Sequence, residues 1–322
     1  EHDEYYLRAN QIVQQTTLAT LDENEAARDL YLRSLDEDPR FAPAWARLAR
    51  CQRVIGKAGK DTNANFAAAE GSLRHALALN PELPIAHILY AHLETDLGRI
   101  KDALLRLLTT AAVNTAEPEL FGMLVMVCRY AGLLEASVAA HQRARRLDPH
   151  IVTSVRHTYW ALGDAQRAIG DGRSYYFEAM IHATLGHVDN ALAILRPVLA
   201  VPRPETMTAF LGTLLACLEG RRAESLAFAE RTLQLFRDPE ARFYLARQLA
   251  YMGEGERAVG VLQQVLEGGY CFSRAVAIDP WFDGLRASPE FQRVVLQSTE
   301  RESVLADVFT RSGGNRLLGA GA

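Results

Sequence analysis

The sequence predicts an all-α chain built as an array of antiparallel helix pairs. Three observations carry this. Apolar residues recur at helical spacing, helix-ending glycines recur at a nearly fixed period, and no stretch shows the alternation of a half-buried strand.

The period comes first. Gly98, Gly132, Gly186, Gly220 and Gly253 fall 34, 54, 34 and 33 residues apart, and Gly56 lies 42 before Gly98. A step of 34 is one helix–turn–helix unit. The step of 42 reads as one unit plus an insertion, for which Lys57 to Ala64 ("KAGKDTNA") is the candidate. The step of 54 leaves about twenty residues beyond one unit, enough for a shortened helix pair at 151–172.

Between the glycines, Ala69, Leu73, Ala76 and Leu77 share one helical face, as do Leu192, Leu195 and Leu199. Ala, Leu, Arg and Glu dominate these segments and favour helix. Asp38-Pro39, Asn80-Pro81 and Asp148-Pro149 each close a helix, because the residue before proline avoids the α region. Asp22 with Glu25 reads as a capping box, and Asp238-Pro239-Glu240 as a cap, a first-turn proline and an acid at the positive helix end. The sum is about sixteen helices. Each pair is too thin to bury its own apolar face, so neighbours must stack into one continuous core.

Composition bounds the function. With 322 residues, 49% of them hydrophobic, and a net charge of −4 with both signs interspersed, the chain lacks the basic excess of a nucleic-acid binder. No apolar run reaches membrane-spanning length. Cys51, Cys128, Cys217 and Cys271 are far apart and read as buried free thiols, not as a zinc site or disulfide framework. The sequence starts at Glu1 and shows no signal peptide, so it reads as a piece of something longer, expected in the cytoplasm or as the extracytoplasmic part of a membrane-anchored parent.

The residues at repeat positions resemble the tetratricopeptide repeat (TPR) family. "APAWARLARCQRVIGK" supplies Trp45, Leu48, Ala49 and Gly56, and "FAAAEGSLRHALALNP" supplies Ala69, Leu73, Ala76 and Pro81. Later units give Tyr90, Ala91, Gly98, Ala103 and Leu107, then Phe121, Leu124, Gly132, Ala144 and Pro149, then Leu245, Ala246, Gly253, Ala258 and Leu262. The resemblance covers roughly 22–270. Gly212 stands where leucine is expected, and Ser137 and Ser225 where alanine is. A weaker resemblance, carried by "LRSLDEDPRFAPAWARLARCQRVIGK" and "AIDPWFDGLRASPEFQRVVLQ", is to the repeat regions of bacterial multidomain signalling proteins, where such arrays follow serine/threonine kinase, nucleotide cyclase or transcription-regulator domains.

The resemblance implies a right-handed superhelical solenoid of about eight antiparallel helix pairs with a C-terminal capping helix. One solenoid is expected over 1–310: N-terminal helices to 56, the insertion at 57–64, repeats over 65–150, the truncated pair at 151–172, repeats over 173–270 and a cap at 271–310. Trp281, Phe282, Leu285 and Phe291 would cover the last repeat, and 311–322 is expected to be a disordered tail.

In this family the first helix of each pair lines the concave surface. Carried over, that gives a partner-binding groove of Arg47, Arg50, Arg53, His92, Met126, Arg129, Tyr130, Tyr176, Met180, Tyr244, Arg247 and Tyr251. Arginine forks would bind carboxylates, while methionine and aromatic surface suits a segment laid in a groove, so the implied partner is a protein or peptide with acidic and apolar anchors. Other readings stand beside this one. Arg47, Arg50 and Arg53 also suit a solvated helix face, Met126, Phe177 and Phe210 suit packing between repeats, and the C-terminal segment could fold back into the groove and fill it.

No chemistry of catalysis is visible. There is no HExxH, nucleophile elbow, Walker loop or kinase catalytic loop, and His87/His92 and His182/His187 are five apart, wrong for paired ligands on one helical face. His92 and Asp96 read as a local pair. The expectation is a protein-interaction scaffold without cofactor or metal, and not an enzyme. The alternative is a regulatory or sensor segment whose effector domain lies outside this chain.

Overall fold

The structure is a computed structural model and describes residues 2–14, 20–170 and 175–319. Eight helix pairs follow in order: α1 (His2–Gln14) and α2 (Leu21–Glu37), α3 (Ala42–Lys57) and α4 (Thr62–Leu79), α5 (Pro84–Asp96) and α6 (Ile100–Val113), α7 (Pro118–Tyr130) and α8 (Leu134–Leu147), a short pair α9 (Val155–Ala161) and α10 (Ala165–Ala168), α11 (Tyr175–Thr184) and α12 (Val188–Leu199), α13 (Glu205–Leu218) and α14 (Arg222–Leu235), and α15 (Pro239–Tyr251) and α16 (Gly255–Glu267). After them come α17 (Ser273–Ile278), a 3-10 helix η1 (Pro280–Leu285), α18 (Pro289–Arg311) and α19 (Gly314–Leu318). There is no strand among the described residues. The architecture is an all-α helical-repeat solenoid.

The turn within most pairs is set by glycine. The N–H of Gly98 reaches the carbonyl of Thr95 and that of Arg99 the carbonyl of Glu94, so the last carbonyls of α5 are satisfied while Gly98 sits at φ 72°. The helix-closing residues before prolines behave as expected: Asp38, Asn80 and Asp148 are the C-caps of α2, α4 and α8. The oxygen of Asp238 accepts from the N–H of Ala241 as the N-cap of α15.

Three local expectations are corrected. The capping box of α2 lies two residues earlier than Asp22 and Glu25: the Thr20 hydroxyl accepts from Glu23 N–H, and the Glu23 carboxylate accepts from Thr20 N–H. Gly56 does not terminate α3; it lies inside the helix under the ring of Phe66, where a Cβ would come within 2.9 Å, and Gly59 at φ 90° makes the turn. Lys57 therefore ends α3 and Thr62 opens α4, so only 58–61 lie outside helix. Residues 314–318, placed in a disordered tail by sequence, form α19, and Leu318 is buried because α19 packs against α6 and α8. Residues 320–322 of that tail lie outside the described residues.

The departures from the repeat pattern are compensated in place. Ser137 and Ser225 are fully buried, and each hydroxyl donates to a backbone carbonyl of the preceding helix, Val125 at 2.6 Å and Thr213 at 2.8 Å. At Gly212, the ring of Phe228 takes the space of the missing side chain, 3.0 Å from where a Cβ would stand.

The C-terminal elements do more than cap the last pair. η1 packs on α15, placing Phe282 against Phe243 and Phe291, but α18 runs on from α16 to α6, and α17 reaches α9. The N–H of Cys271 donates to Tyr130 O at 2.8 Å, which ties the segment after α16 to the end of α7. The turn at Gly98 meets the backbone of Gly268, where a Cβ on Gly98 would stand 3.3 Å from its carbonyl oxygen. The array thus closes on itself, with front and back pairs in contact across its inner face.

Candidate interaction face and the closure of the groove

Arg47, Arg50, Arg53 and Lys57 lie at steps of three and four and so form one stripe along α3. Its two ends have different fates. At the C-terminal end, Arg53 is buried and donates to Asp96 at 2.5 Å, and Lys57 bridges Asp96 at 2.8 Å and Asp238 at 2.9 Å. Burial alone would raise both carboxyls, but Arg53 and Lys57 outweigh it at Asp96, and Lys57 outweighs it at Asp238, so both are held below the ordinary carboxylate range. Burial would lower the Lys57 ammonium, and Asp238 and Asp96 together hold it above its ordinary value.

At the N-terminal end of the stripe, Arg47 and Arg50 are half-buried. Neither makes an ion pair among the described residues, and Arg50 reaches only Asn24 Oδ1 at 3.5 Å. The Nε of Arg47 is buried with no hydrogen-bond partner. Burial, then the neighbouring Arg53 and Arg47, lower the Arg50 guanidinium, with the Cys51 thiol opposing.

Deeper in the inner face, Arg129 forks onto Glu240 at 2.8 and 3.0 Å and donates to the carbonyl and hydroxyl of Ser154. The Tyr244 hydroxyl lies 3.2 Å from Glu240 and 2.6 Å from His157 Nδ1, and Tyr130 reaches Asp238 at 3.3 Å. Burial would raise Glu240, but Arg129 and then His157 hold it down; burial pushes the Tyr130, Tyr244 and Tyr270 hydroxyls well up. This network joins α7, α9 and α15 and leaves its groups paired with one another.

A third cluster surrounds Arg247, which is fully buried. It pairs with Asp279 at 2.6 Å, donates to Thr184 Oγ1 at 2.6 Å, and lies over the rings of Trp160 and Trp281 at 5.3 and 4.3 Å. Tyr251 remains 54% exposed but stacks on Trp281. Tyr176 stacks on Phe210 and meets Gln248, and Met180 is buried.

Most of the sequence-derived groove residues are turned into the chain. Arg53, Arg129, Tyr130, Tyr176, Met180, Tyr244 and Arg247 are buried against other pairs, and Met126 is partly buried against the core. In this conformation they face no open groove, for the physical reason that the back pairs and the C-terminal segment occupy it. His92 is half-buried and makes no hydrogen bond to Asp96, whose oxygens go to Arg53 and Lys57 instead. Sequence reasoning missed Lys57, Glu240, Asp279 and His157. Asp238 and Glu240 were legible as a helix start, but nothing local shows that their charges also face Lys57 and Arg129.

Among the described residues no group of three or more His, Cys, Asp or Glu could hold a metal ion. No described helix is long and apolar enough to cross a membrane. Cys51, Cys128 and Cys271 are buried and free, and burial raises their thiols to about 11, 12 and 12.

The fold places the chain among all-α helical-repeat solenoids. Among solved structures it is similar to the APC/C hetero-tetramer Cut9–Hcn1, at 12% identity over 96% of this chain and 63% of that one, with a TM-score of 0.57. It is also similar to the TPR domain of P58(IPK), at 12% identity over 99% and 98% of the two chains (TM-score 0.27), and to yeast Tom70, at 13% identity over 96% and 67% (TM-score 0.45). The chain thus spans less than two thirds of the Cut9–Hcn1 chain, and that likeness is one of fold. No family model and no curated protein matches it.

Proposed function

We propose that the chain is a TPR-type protein-interaction scaffold whose partner-binding face is the N-terminal part of the α3 stripe. One observation carries this. Of the arginines assigned to the groove, Arg53 and Arg247 pair with aspartates and Arg129 with a glutamate, whereas Arg47 and Arg50 have no carboxylate among the described residues. Two half-buried guanidiniums without a counter-charge favour an acidic segment from outside, since each can take a carboxylate on two N–H groups. The apolar anchors once assigned to Tyr176, Met180 and Tyr244 are taken by the chain itself. The central and C-terminal groove would serve a partner only in an opened chain.

The test is fluorescence anisotropy of acidic and sequence-scrambled neutral peptides against the whole chain. Saturable, salt-sensitive binding of acidic peptides, lost in Arg47→Glu/Arg50→Glu, is the expected result. Equal binding of neutral peptides, or undiminished binding by the variant, would overturn the assignment.

A second reading is favoured by the self-closed inner face: a regulatory segment of a bacterial kinase, cyclase or transcription regulator, acting on an attached effector domain through its open or closed state.

A further inference from the structure

The seam between front and back pairs forms a solvent-open pocket of about 360 Å³. Its polar lining is Lys57, Thr62 and Asn63 from the ends of α3 and α4, and Arg237, Asp238 and Arg242 from the start of α15, with Asp96 behind. Phe66, Leu97 and Pro239 give it an apolar wall.

The charges of this lining do not balance. Asp96 is already held by Arg53 and Lys57, and Asp238 by Lys57 and the N–H of Ala241. Arg237 is exposed and has no hydrogen bond or ion pair among the described residues. Arg242 donates to the carbonyls of Phe236 and Leu233 and to Gln264 Oε1, and to no carboxylate among the described residues. On the lining, Lys57, Arg237 and Arg242 stand against Asp96 and Asp238, an excess of one positive charge, and Arg53, paired with Asp96 from outside the lining, raises it to two. Burial and then the proximity of Arg237 lower the Arg242 guanidinium, as two cations sharing one space should.

The first turn of α4 faces the same space. No side chain caps it, because Asp61 at its N-cap position is held at φ 41°, a left-handed conformation that non-glycine residues seldom adopt. The positive end of an 18-residue helix is thereby left open beside Thr62 and Asn63.

We propose that this seam pocket binds a small phosphate dianion, with the phosphoryl oxygens on Arg237, Arg242 and the first turn of α4, and that occupancy fastens α4 and α5 to α15. A dianion matches the excess of two charges that the lining and Arg53 carry together. The apolar wall accommodates the organic part of a phosphate monoester, which therefore binds more tightly than inorganic phosphate. The site is separate from Arg47 and Arg50, so it stands or falls apart from the peptide-binding reading.

The experiment is isothermal titration of the whole chain with inorganic phosphate and with glycerol 3-phosphate, at constant ionic strength set with chloride. Arg237→Glu is the first variant, since an exposed side chain without hydrogen bonds can be reversed without unfolding the chain. The expected result is saturable binding, tighter for the monoester, weakened at least about tenfold in Arg237→Glu and retained in Arg47→Glu/Arg50→Glu. Hydrogen exchange at the Cys271 amide slows with ligand, because the seam is then held shut. No saturable binding of either anion in the millimolar range, or undiminished binding by Arg237→Glu, overturns the site. Binding without slower exchange overturns the fastening role. Preference for inorganic phosphate overturns the monoester assignment.

Discussion

Arg129 on α7 and Glu240 in the first turn of α15 stand 111 residues apart and meet in a two-pronged ion pair with nearly all water excluded. Such a pair is expensive to break from one side, because the surviving charge stays buried. Glu240→Gln or Arg129→Met should each cost about 3–5 kcal/mol, read as a lower urea midpoint. The double substitution to methionine should recover most of that loss, since no charge is then stranded. Single variants that cost under about 1 kcal/mol would mean that the seam is already open in solution.

Acid should loosen the inner face in two stages. The His157 ring lies between Tyr244, Glu240, Arg129, Arg156 and Phe177; burial lowers its pKa most, Glu240 opposes and Arg129 adds, leaving it at about 4. His92 is pushed to about 3, by burial and then Arg53. An unfolded histidine takes its proton near 6.5, so between about 6.5 and 4 the unfolded chain binds more protons and stability is lost as the pH is lowered. Below about 4, Asp96, Asp238 and Glu240 act likewise, because their folded values lie below their unfolded ones and the stability present above that range is lost as they protonate. Urea denaturation at pH 7, 6 and 5 checks the first stage. His157→Gln should flatten the slope by up to one proton, about 1.4 kcal/mol per pH unit, and an unchanged slope would count against a histidine buried in the neutral form.

Two glycines with similar backbones separate local strain from long-range closure. Gly132 at φ 75° and Gly220 at φ 72° each end the first helix of a pair. A Cβ at Gly220 meets nothing, whereas one at Gly132 collides with Glu302 of α18. Glu302 accepts from the N–H of Ser273 at 2.9 Å and from Ser298 at 3.0 Å, so its displacement also loosens α17. Gly220→Ala should cost about 1–2 kcal/mol from the left-handed backbone alone. Gly132→Ala should cost more and should also speed hydrogen exchange in α18. Equal effects of the two on stability and exchange would show that α18 is not docked there.

Much of the fold was legible because its signals are local. The caps at Asp38, Asn80 and Asp148 depend on one residue and the proline after it, and the turn glycines on a single φ angle. Errors arose where two local signals competed. Asp22–Glu25 and Thr20–Glu23 both have cap-box spacing, and only the backbone at Thr20 decides between them. Gly56 looks like a helix end until Phe66 is seen to require its missing side chain.

The site was legible in a different sense. Periodicity placed Arg47, Arg50, Arg53, Arg129 and Arg247 on inner helical faces, but it could not say which would find a carboxylate. Asp96, Glu240 and Asp279 lie 43, 111 and 32 residues from their arginines, and no local rule fixes such a distance.

By itself, then, the sequence determined the class of fold, the pairing of consecutive helices and the faces that each turns inward, since these follow from hydrogen bonding and apolar periodicity within a few tens of residues. Only the tertiary structure decided that the array closes, that Lys57 joins Asp96 to Asp238, and that Arg47 and Arg50 are left without counter-charges among the described residues. Those outcomes depend on how small rotations between successive pairs accumulate, and on which distant surfaces that accumulation brings together.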